Sequence, residues 1–186
     1  MPHVVIAVLS SILIVVIAVE GHVPTYRVAP AFLIPMVWGV CFLRRRLRLR
    51  PLHFALLASA VLLHMLGAFG FYQAWPGPVS FDVVVHYWFA LVVTLALHRM
   101  LDANYSMRRW HVAVLTFFIM MGLAALHEIM EYGSYLLLGE ERGMLKPKTS
   151  YFFDTQRDLL NNLLGTLTAL VAVVIARGVR GHRRER

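Results

Sequence analysis

The sequence has a single cysteine, few acidic residues and no polar linker. The lone thiol, Cys41, excludes an intrachain disulfide. Only 10 of the 186 residues are Asp or Glu, whereas 59% are apolar and the mean hydropathy is +0.67. These scarcities exclude both a disulfide-stapled secreted domain and an ordinary soluble domain. They predict one integral membrane domain over residues 1–186.

Long apolar runs are what the sequence does have. A helix needs roughly 20 apolar residues to cross ~30 Å of hydrocarbon. Because several such runs follow one another, we predict an all-α polytopic transmembrane helical bundle with about six membrane-spanning helices. Residues 1–43 would form an apolar two-helix anchor, and residues 52–176 a four-helix unit that carries the polar site. The runs lie at about 3–20, 28–43 (the shortest), 52–71, 82–101, 110–138 and 157–176.

Basic residues gather in alternate loops, whereas residues 72–81 contain no Lys or Arg. Because Lys and Arg favour cytoplasmic loops, both termini are predicted to be cytoplasmic. Basic residues within 139–156 run mildly against this rule. The net charge of +8 therefore indicates topology and contact with membrane lipids, and nucleic-acid binding is not expected. The clusters are Arg44, Arg45, Arg46, Arg48 and Arg50, then Arg99, Arg108 and Arg109, then Arg177, Arg180, Arg183, Arg184 and Arg186.

The unusual polar residues all lie in the third to sixth runs, and several repeat at helical spacing. Asp82 and His86 are four residues apart, as are His127 and Glu131, so each pair shares a helix face. Glu128 lies on the same side of its helix as Glu131. Ionised side chains inside a bilayer are expensive and usually have partners or a task. The remaining members of the set are His64, Asp154, Arg157, Asp158, Asn161 and Asn162.

These groups share one depth in the predicted bundle. At 1.5 Å per residue, His64 lies about 9 Å below Gly70, and Glu131 lies roughly 10 Å below Leu138. Asp82 and Asp154 open the two helices that return inward. Four helices therefore deliver polar side chains to the outer half of the bilayer, and we expect one outward-facing His, Asp and Glu site there.

Four short motifs within residues 60–175 read LHMLGAFGFY, FDVVVHYWFAL, ALHEIMEY and DTQRDLLNNLLG. Together they resemble the YjdF-like bacterial inner-membrane proteins. More distantly, the Asp-x-x-x-His element and the Asp-x-x-x-Asn-x-x-Gly ending are similar to the VanZ-like family, which is linked to glycopeptide-antibiotic resistance. The resemblance implies a multi-pass protein of the bacterial inner (plasma) membrane with a shared polar site, and it implies no particular reaction.

The donor set favours a metal ion. Imidazole and carboxylate donors without a thiolate suit Zn²⁺, Mn²⁺ or Fe²⁺ better than Cu⁺. A divalent metal ion would also neutralise carboxylates for which Arg157 is the one obvious cation nearby. The sequence HEIME is a weak match to the H-E-x-x-H zinc-protease motif, because its last donor is Glu. The predicted ligands are His64, Asp82, His86, His127, Glu131 and Asp154.

A bound metal ion would favour hydrolysis or group transfer on a lipid-linked substrate in the outer leaflet. Glu128 or Asp158 is then the predicted general base, and Arg157 is predicted to orient a phosphate. Asn161 and Asn162 are predicted binding residues. Two other interpretations stay open. The cluster would instead bind or conduct an ion, a proton or a lipid headgroup without catalysis, or it would simply hold the helices together through hydrogen bonds.

Overall fold

A computed structural model describes residues 1–139 and 151–184, and these residues form six helices and no strand. A 3₁₀ turn (Pro24–Val28) precedes the second helix, and the third continues through a π-helical turn (Gly67–Phe71) into Tyr72–Ala74. The prediction of an all-α bundle is confirmed. The basic residues within 140–150, which run against the predicted topology, lie outside the described residues, as does Arg186. The helices are α1 (Pro2–Glu20), α2 (Pro30–Leu43), α3 (Pro51–Leu66), α4 (Phe81–Asn104), α5 (Arg109–Leu138) and α6 (Tyr151–Arg184).

Among the described residues, five helical segments are long and apolar enough to cross a membrane. The exception is α2, whose 14 residues extend about 21 Å and are short for a hydrocarbon core of ~30 Å. The chain is therefore a multi-pass membrane protein, and a sixth crossing at α2 needs separate evidence. The five segments are Pro2–Glu20, Pro51–Ala74, Phe81–Asn104, Arg109–Leu138 and Phe153–Val179.

That evidence comes from α1 and α3, which run in the same direction. At their starts, the rings of His3 and Phe54 lie 5.6 Å apart. At their other ends, the His22 amide donates a 2.9 Å hydrogen bond to the Ala68 carbonyl. The chain between them must therefore return from one face of the bundle to the other. At 2.0 Å per residue, the 3₁₀ turn adds about 10 Å to the length of α2. The turn and α2 together are therefore long enough for this crossing.

The helices α4 and α6 also run in the same direction and pack closely. Arg157, near the start of α6, contacts Asp82 at the start of α4, and Arg177 contacts Asp102 near their ends. Gly165 permits this approach, because a Cβ atom there would overlap the Tyr87 carbonyl oxygen. Small residues allow such contact between helix backbones in membranes. The starts of α4 and α6 are therefore held side by side.

Two apolar clusters pack the remaining faces. One joins α1, α2 and α3 and includes the buried Cys41. The other joins α4 and α5 around Ala90, Met120 and Ala124, with Leu159 of α6 packed against it. Since lipid is as apolar as these side chains, packing and polar contacts, rather than hydrophobicity, decide how membrane helices associate. The second cluster fixes α5 beside the paired starts of α4 and α6.

Candidate functional site

His86 on α4 lies at the centre of the polar cluster. Its Nε2 atom is 3.5 Å from Asp82 Oδ1, one helical turn earlier, and 3.7 Å from Asp158 Oδ2 on α6. Its Nδ1 atom is 4.0 Å from Glu128 Oε1 on α5. Carboxylates from three helices therefore face one imidazole, as the common depth of these residues predicts.

The inner members of this group are withdrawn from solvent. Glu128 is 4% exposed and Asp158 is 2% exposed, whereas the Asp82 side chain is 26% exposed. Glu128 Oε1 and Asp158 Oδ1 have no hydrogen-bond partner among the described residues. Buried charges normally have partners or coordinate metal ions. Two buried carboxylate oxygens therefore remain to be satisfied.

Arg157 closes the more exposed edge of the cluster. Its Nη2 atom is 2.8 Å from Asp82 Oδ2 and 2.6 Å from Asp154 Oδ1. Its Nε atom is 3.6 Å from Asp158 Oδ1, which is an ion-pair contact without a hydrogen bond. This single guanidinium links the starts of α4 and α6. The cluster nonetheless holds five carboxyl groups, from Asp82, Glu128, Glu131, Asp154 and Asp158.

A second pair lies beside the centre on α5. His127 Nε2 is 3.2 Å from Glu131 Oε1, in the i, i+4 arrangement that their spacing predicts. The imidazole rings of His127 and His86 have centroids 5.8 Å apart. His127 and Glu131 therefore lie beside the His86 imidazole. Among the described contacts, neither residue is paired with Asp82 or Asp158.

His64 on α3 has a partner that the sequence pattern does not predict. Its Nδ1 atom is 3.1 Å from the Tyr72 hydroxyl. The π-helical turn between His64 and Tyr72 contains Gly70 at φ 115°, a conformation that favours glycine. Such turns often mark functional sites in helices, and Gly70 is the sequence feature that permits this backbone conformation.

Asn162 contacts the other side of the central imidazole. Its Nδ2 atom is 3.3 Å from His86 Nδ1. In this orientation the amide donates to Nδ1, so the imidazole proton is on Nε2, facing the carboxylates. Turning the amide over would offer its oxygen to an Nδ1–H group and would free the Nε2 lone pair for a metal ion. Asn161 is 7% exposed, and its Nδ2 atom has no hydrogen-bond partner among the described residues.

One trio has the spacing of a metal site. A donor atom from each of Asp82, His86 and Asp158 lies within 4.8 Å of the other two. Donors around one tetrahedral zinc ion are about 3.3 Å apart, given bonds of about 2.0–2.1 Å. The two contacts of His86 Nε2, at 3.5 and 3.7 Å, are close to this separation. A small inward movement of the two carboxylates would complete a three-residue site.

The trio differs in membership from the predicted ligand set. The sequence pattern predicts Glu128 or Asp158 as a general base, and in the structure Asp158 lies within 4.8 Å of the predicted ligands Asp82 and His86. Asp154 is held by Arg157. The other predicted ligands, His64, His127 and Glu131, surround the trio without joining it.

Residues 1–178 match one protein-family model. The chain belongs to the DUF2238 family of predicted membrane proteins. The resemblance to YjdF-like proteins agrees with this result, because YjdF is itself a DUF2238 protein. The resemblance to the VanZ-like family stays a prediction. No curated protein and no solved structure matches this DUF2238 chain, so its function has to be argued from the site.

Proposed function

We propose that this protein binds a divalent metal ion (Zn²⁺, Mn²⁺ or Fe²⁺) at Asp82, His86 and Asp158 and uses it in hydrolysis or group transfer on a lipid-linked substrate. The observation that carries the proposal is the trio of donors, two of them buried, at a separation close to that of metal ligands. The protein would act as a multi-pass protein of the bacterial inner membrane, with this site facing outward.

Charge balance supports a cation at this position. Five carboxyl groups surround the site, and Arg157 is the one Lys or Arg that contacts them in the described part of the chain. Buried carboxylates lose most of their hydration, and Arg157 Nη2 is already shared between Asp82 and Asp154. A divalent ion would neutralise charge that hydrogen bonds leave uncompensated.

The residues around the trio have the chemistry that such a reaction needs. A bound divalent ion supplies polarisation of a phosphoryl or acyl oxygen and activation of water. Glu128 projects a carboxylate oxygen without a hydrogen-bond partner among the described residues, and it would accept the proton of an attacking water. Arg157 has a 38% exposed side chain and uses Nη2 for both of its closest contacts, so other guanidinium donors would bind a phosphate. Asn161 and Asn162 would orient the substrate and His86.

An assay with defined lipids tests the catalytic proposal. Protein loaded with Zn²⁺, Mn²⁺ or Fe²⁺ would be incubated with vesicles that contain phosphatidic acid, a polyprenyl diphosphate or phosphatidylglycerol, and phosphate and fatty-acid release would be measured. We expect Glu128→Gln to lower the rate about 10²–10⁴-fold, the usual contribution of a general base, while the metal content stays unchanged. Asp102→Asn, at the opposite end of α4, is the matched control. Full activity in Glu128→Gln, or no turnover of any lipid by metal-loaded protein, contradicts the proposal.

A second candidate is ion or proton permeation, and one observation favours it. Buried polar groups continue from the site along the α4–α6 contact. Thr166 Oγ1 donates to the Asn162 carbonyl at 2.8 Å and lies 3.5 Å from Thr94 Oγ1. His98, one turn further on α4, is 4% exposed. A line of polar groups through a bilayer is typical of proton and ion paths.

Flux measurements separate this candidate from the enzyme. A conduit predicts ion or proton flux into liposomes without any lipid substrate, and it predicts that Thr94→Val abolishes the flux. An enzyme predicts tight liposomes and unchanged lipid turnover in Thr94→Val. If Thr94→Val and the wild type show equal flux, the path does not follow the α4–α6 contact.

A further inference from the structure

A groove lies at the end of the bundle opposite the site. Near the site, α5 and α6 are in contact, since Leu159 packs against the Met120 and Ala124 cluster. Toward the start of α5 and the end of α6, a groove of about 770 Å³ opens between them. This volume is in the range of small-molecule and cofactor sites.

The walls of the groove are apolar and face the membrane. Leu170 and Val171 line it from α6 and Ala113 lines it from α5. Val174, also in the wall, is 69% exposed. Both α5 and α6 are long and apolar enough to span a bilayer, so lipid surrounds the exposed residues of the groove wall. The apolar walls are therefore suited to binding a lipid acyl chain.

The rim of the groove is positively charged. Arg177 lines the groove but is neutralised by Asp102, with 2.7 Å between Nη2 and Oδ2. Arg109 also lines the groove and makes no ion pair with any described residue. Trp110, beside it, is 58% exposed, and tryptophan favours the headgroup level of a membrane. His98 lines the groove from α4 and is 4% exposed.

We propose that this groove binds one anionic phospholipid, with an acyl chain between α5 and α6 and the headgroup phosphate on Arg109. Basic pockets between transmembrane helices are suited to anionic headgroups, because a phosphate accepts charge-assisted hydrogen bonds from the guanidinium. The inference is independent of the metal site, since it uses none of its residues.

Native mass spectrometry of the detergent-purified protein tests this proposal, with phosphatidylglycerol and phosphatidylcholine as competing probes. We expect one retained phosphatidylglycerol and little phosphatidylcholine. Arg109→Gln is expected to weaken retention about fivefold, as estimated from what one basic residue contributes at an anionic membrane surface. Its matched control is Arg108→Gln, which removes the same charge one residue outside the groove lining.

A second pair of variants tests the apolar part. A Cβ atom at Gly178, in the groove lining, meets nothing within 4 Å, and the same holds at Gly122 on α5 outside the groove. We expect Gly178→Leu to displace the lipid and Gly122→Leu to retain it, with both variants folded by thermal unfolding. Equal loss in the Arg108 and Arg109 variants, equal retention of both phospholipids, or full retention in Gly178→Leu would overturn the proposal.

Discussion

Replacement of Asp158 by Asn is the sharpest perturbation of the proposed metal site. The change keeps the size of a side chain that is 2% exposed, and it replaces an anionic oxygen donor, 3.7 Å from His86 Nε2, with a neutral amide that binds metal ions more weakly. If the trio binds a metal ion, the main effect is on metal-dependent stability. If the residues only hold the helices together, the main effect is on the stability of the metal-free protein.

The magnitude follows from linkage between binding and unfolding. At a metal concentration 100 times its Kd, the wild type gains about 2.7 kcal/mol of unfolding free energy. Residues that only orient a metal ligand change affinity about 10–100-fold, so loss of a direct ligand is expected to cost at least about 100-fold. At the same metal concentration, the variant would then gain only about 0.4 kcal/mol. The predicted difference is about 2.3 kcal/mol.

The metal-free comparison has the opposite sign in the two accounts. In chelator, we expect Asp158→Asn to be at least as stable as the wild type, because the change removes one of several crowded carboxylates. Breaking a buried ion pair that serves only structure would instead cost about 3–5 kcal/mol. Thermal unfolding in detergent, with and without chelator, measures both quantities. A wild type without a metal-dependent shift in unfolding, or a variant that keeps the full shift, would contradict metal binding by Asp158.

Three further predictions concern the scaffold. Gly165→Ala should destabilise the protein by about 1–3 kcal/mol, because its Cβ would meet the Tyr87 carbonyl oxygen; Gly122→Ala, which meets nothing within 4 Å, is the control in thermal unfolding. Gly70→Ala should cost about 1–3 kcal/mol because φ there is 115°, and wild-type stability would show that the π-helical turn rearranges freely. Asp102→Asn should change stability by no more than about 1 kcal/mol, since both partners of its ion pair are about one-third exposed; a larger loss in the same assay would reveal a stronger structural role.

Much of the fold can be predicted from the sequence, because membrane-spanning helices are recognisable as long apolar runs. The apolar runs predict the helices, and the spacing of Asp82 and His86 predicts their shared face. The crossing at α2 is less evident, since 14 helical residues are too few alone. It becomes clear only when the parallel contacts of α1 and α3 are known, and these depend on packing between segments far apart in sequence.

The candidate site is predictable as a set of residues but not as a set of contacts. Depth along each helix follows from a rise of 1.5 Å per residue, so a common level could be inferred for all four helices. Rotation about each axis is set by neighbours, such as the close approach at Gly165. That rotation brings Asp158 to His86, whereas the π-helical turn (Gly67–Phe71) brings Tyr72 to His64 within one continuous segment. No periodicity within a single helix encodes these pairings.

Elemental analysis of the detergent-purified protein shows whether the protein binds a metal ion through Asp158. The wild type, Asp158→Asn and the control Asp102→Asn would each be incubated with Zn²⁺, Mn²⁺ and Fe²⁺, desalted and analysed. We expect a stoichiometric transition metal in the wild type and the control, and its loss in Asp158→Asn. Protein that binds no metal under any of these conditions, or an Asp158 variant that binds as much as the wild type, would contradict this expectation.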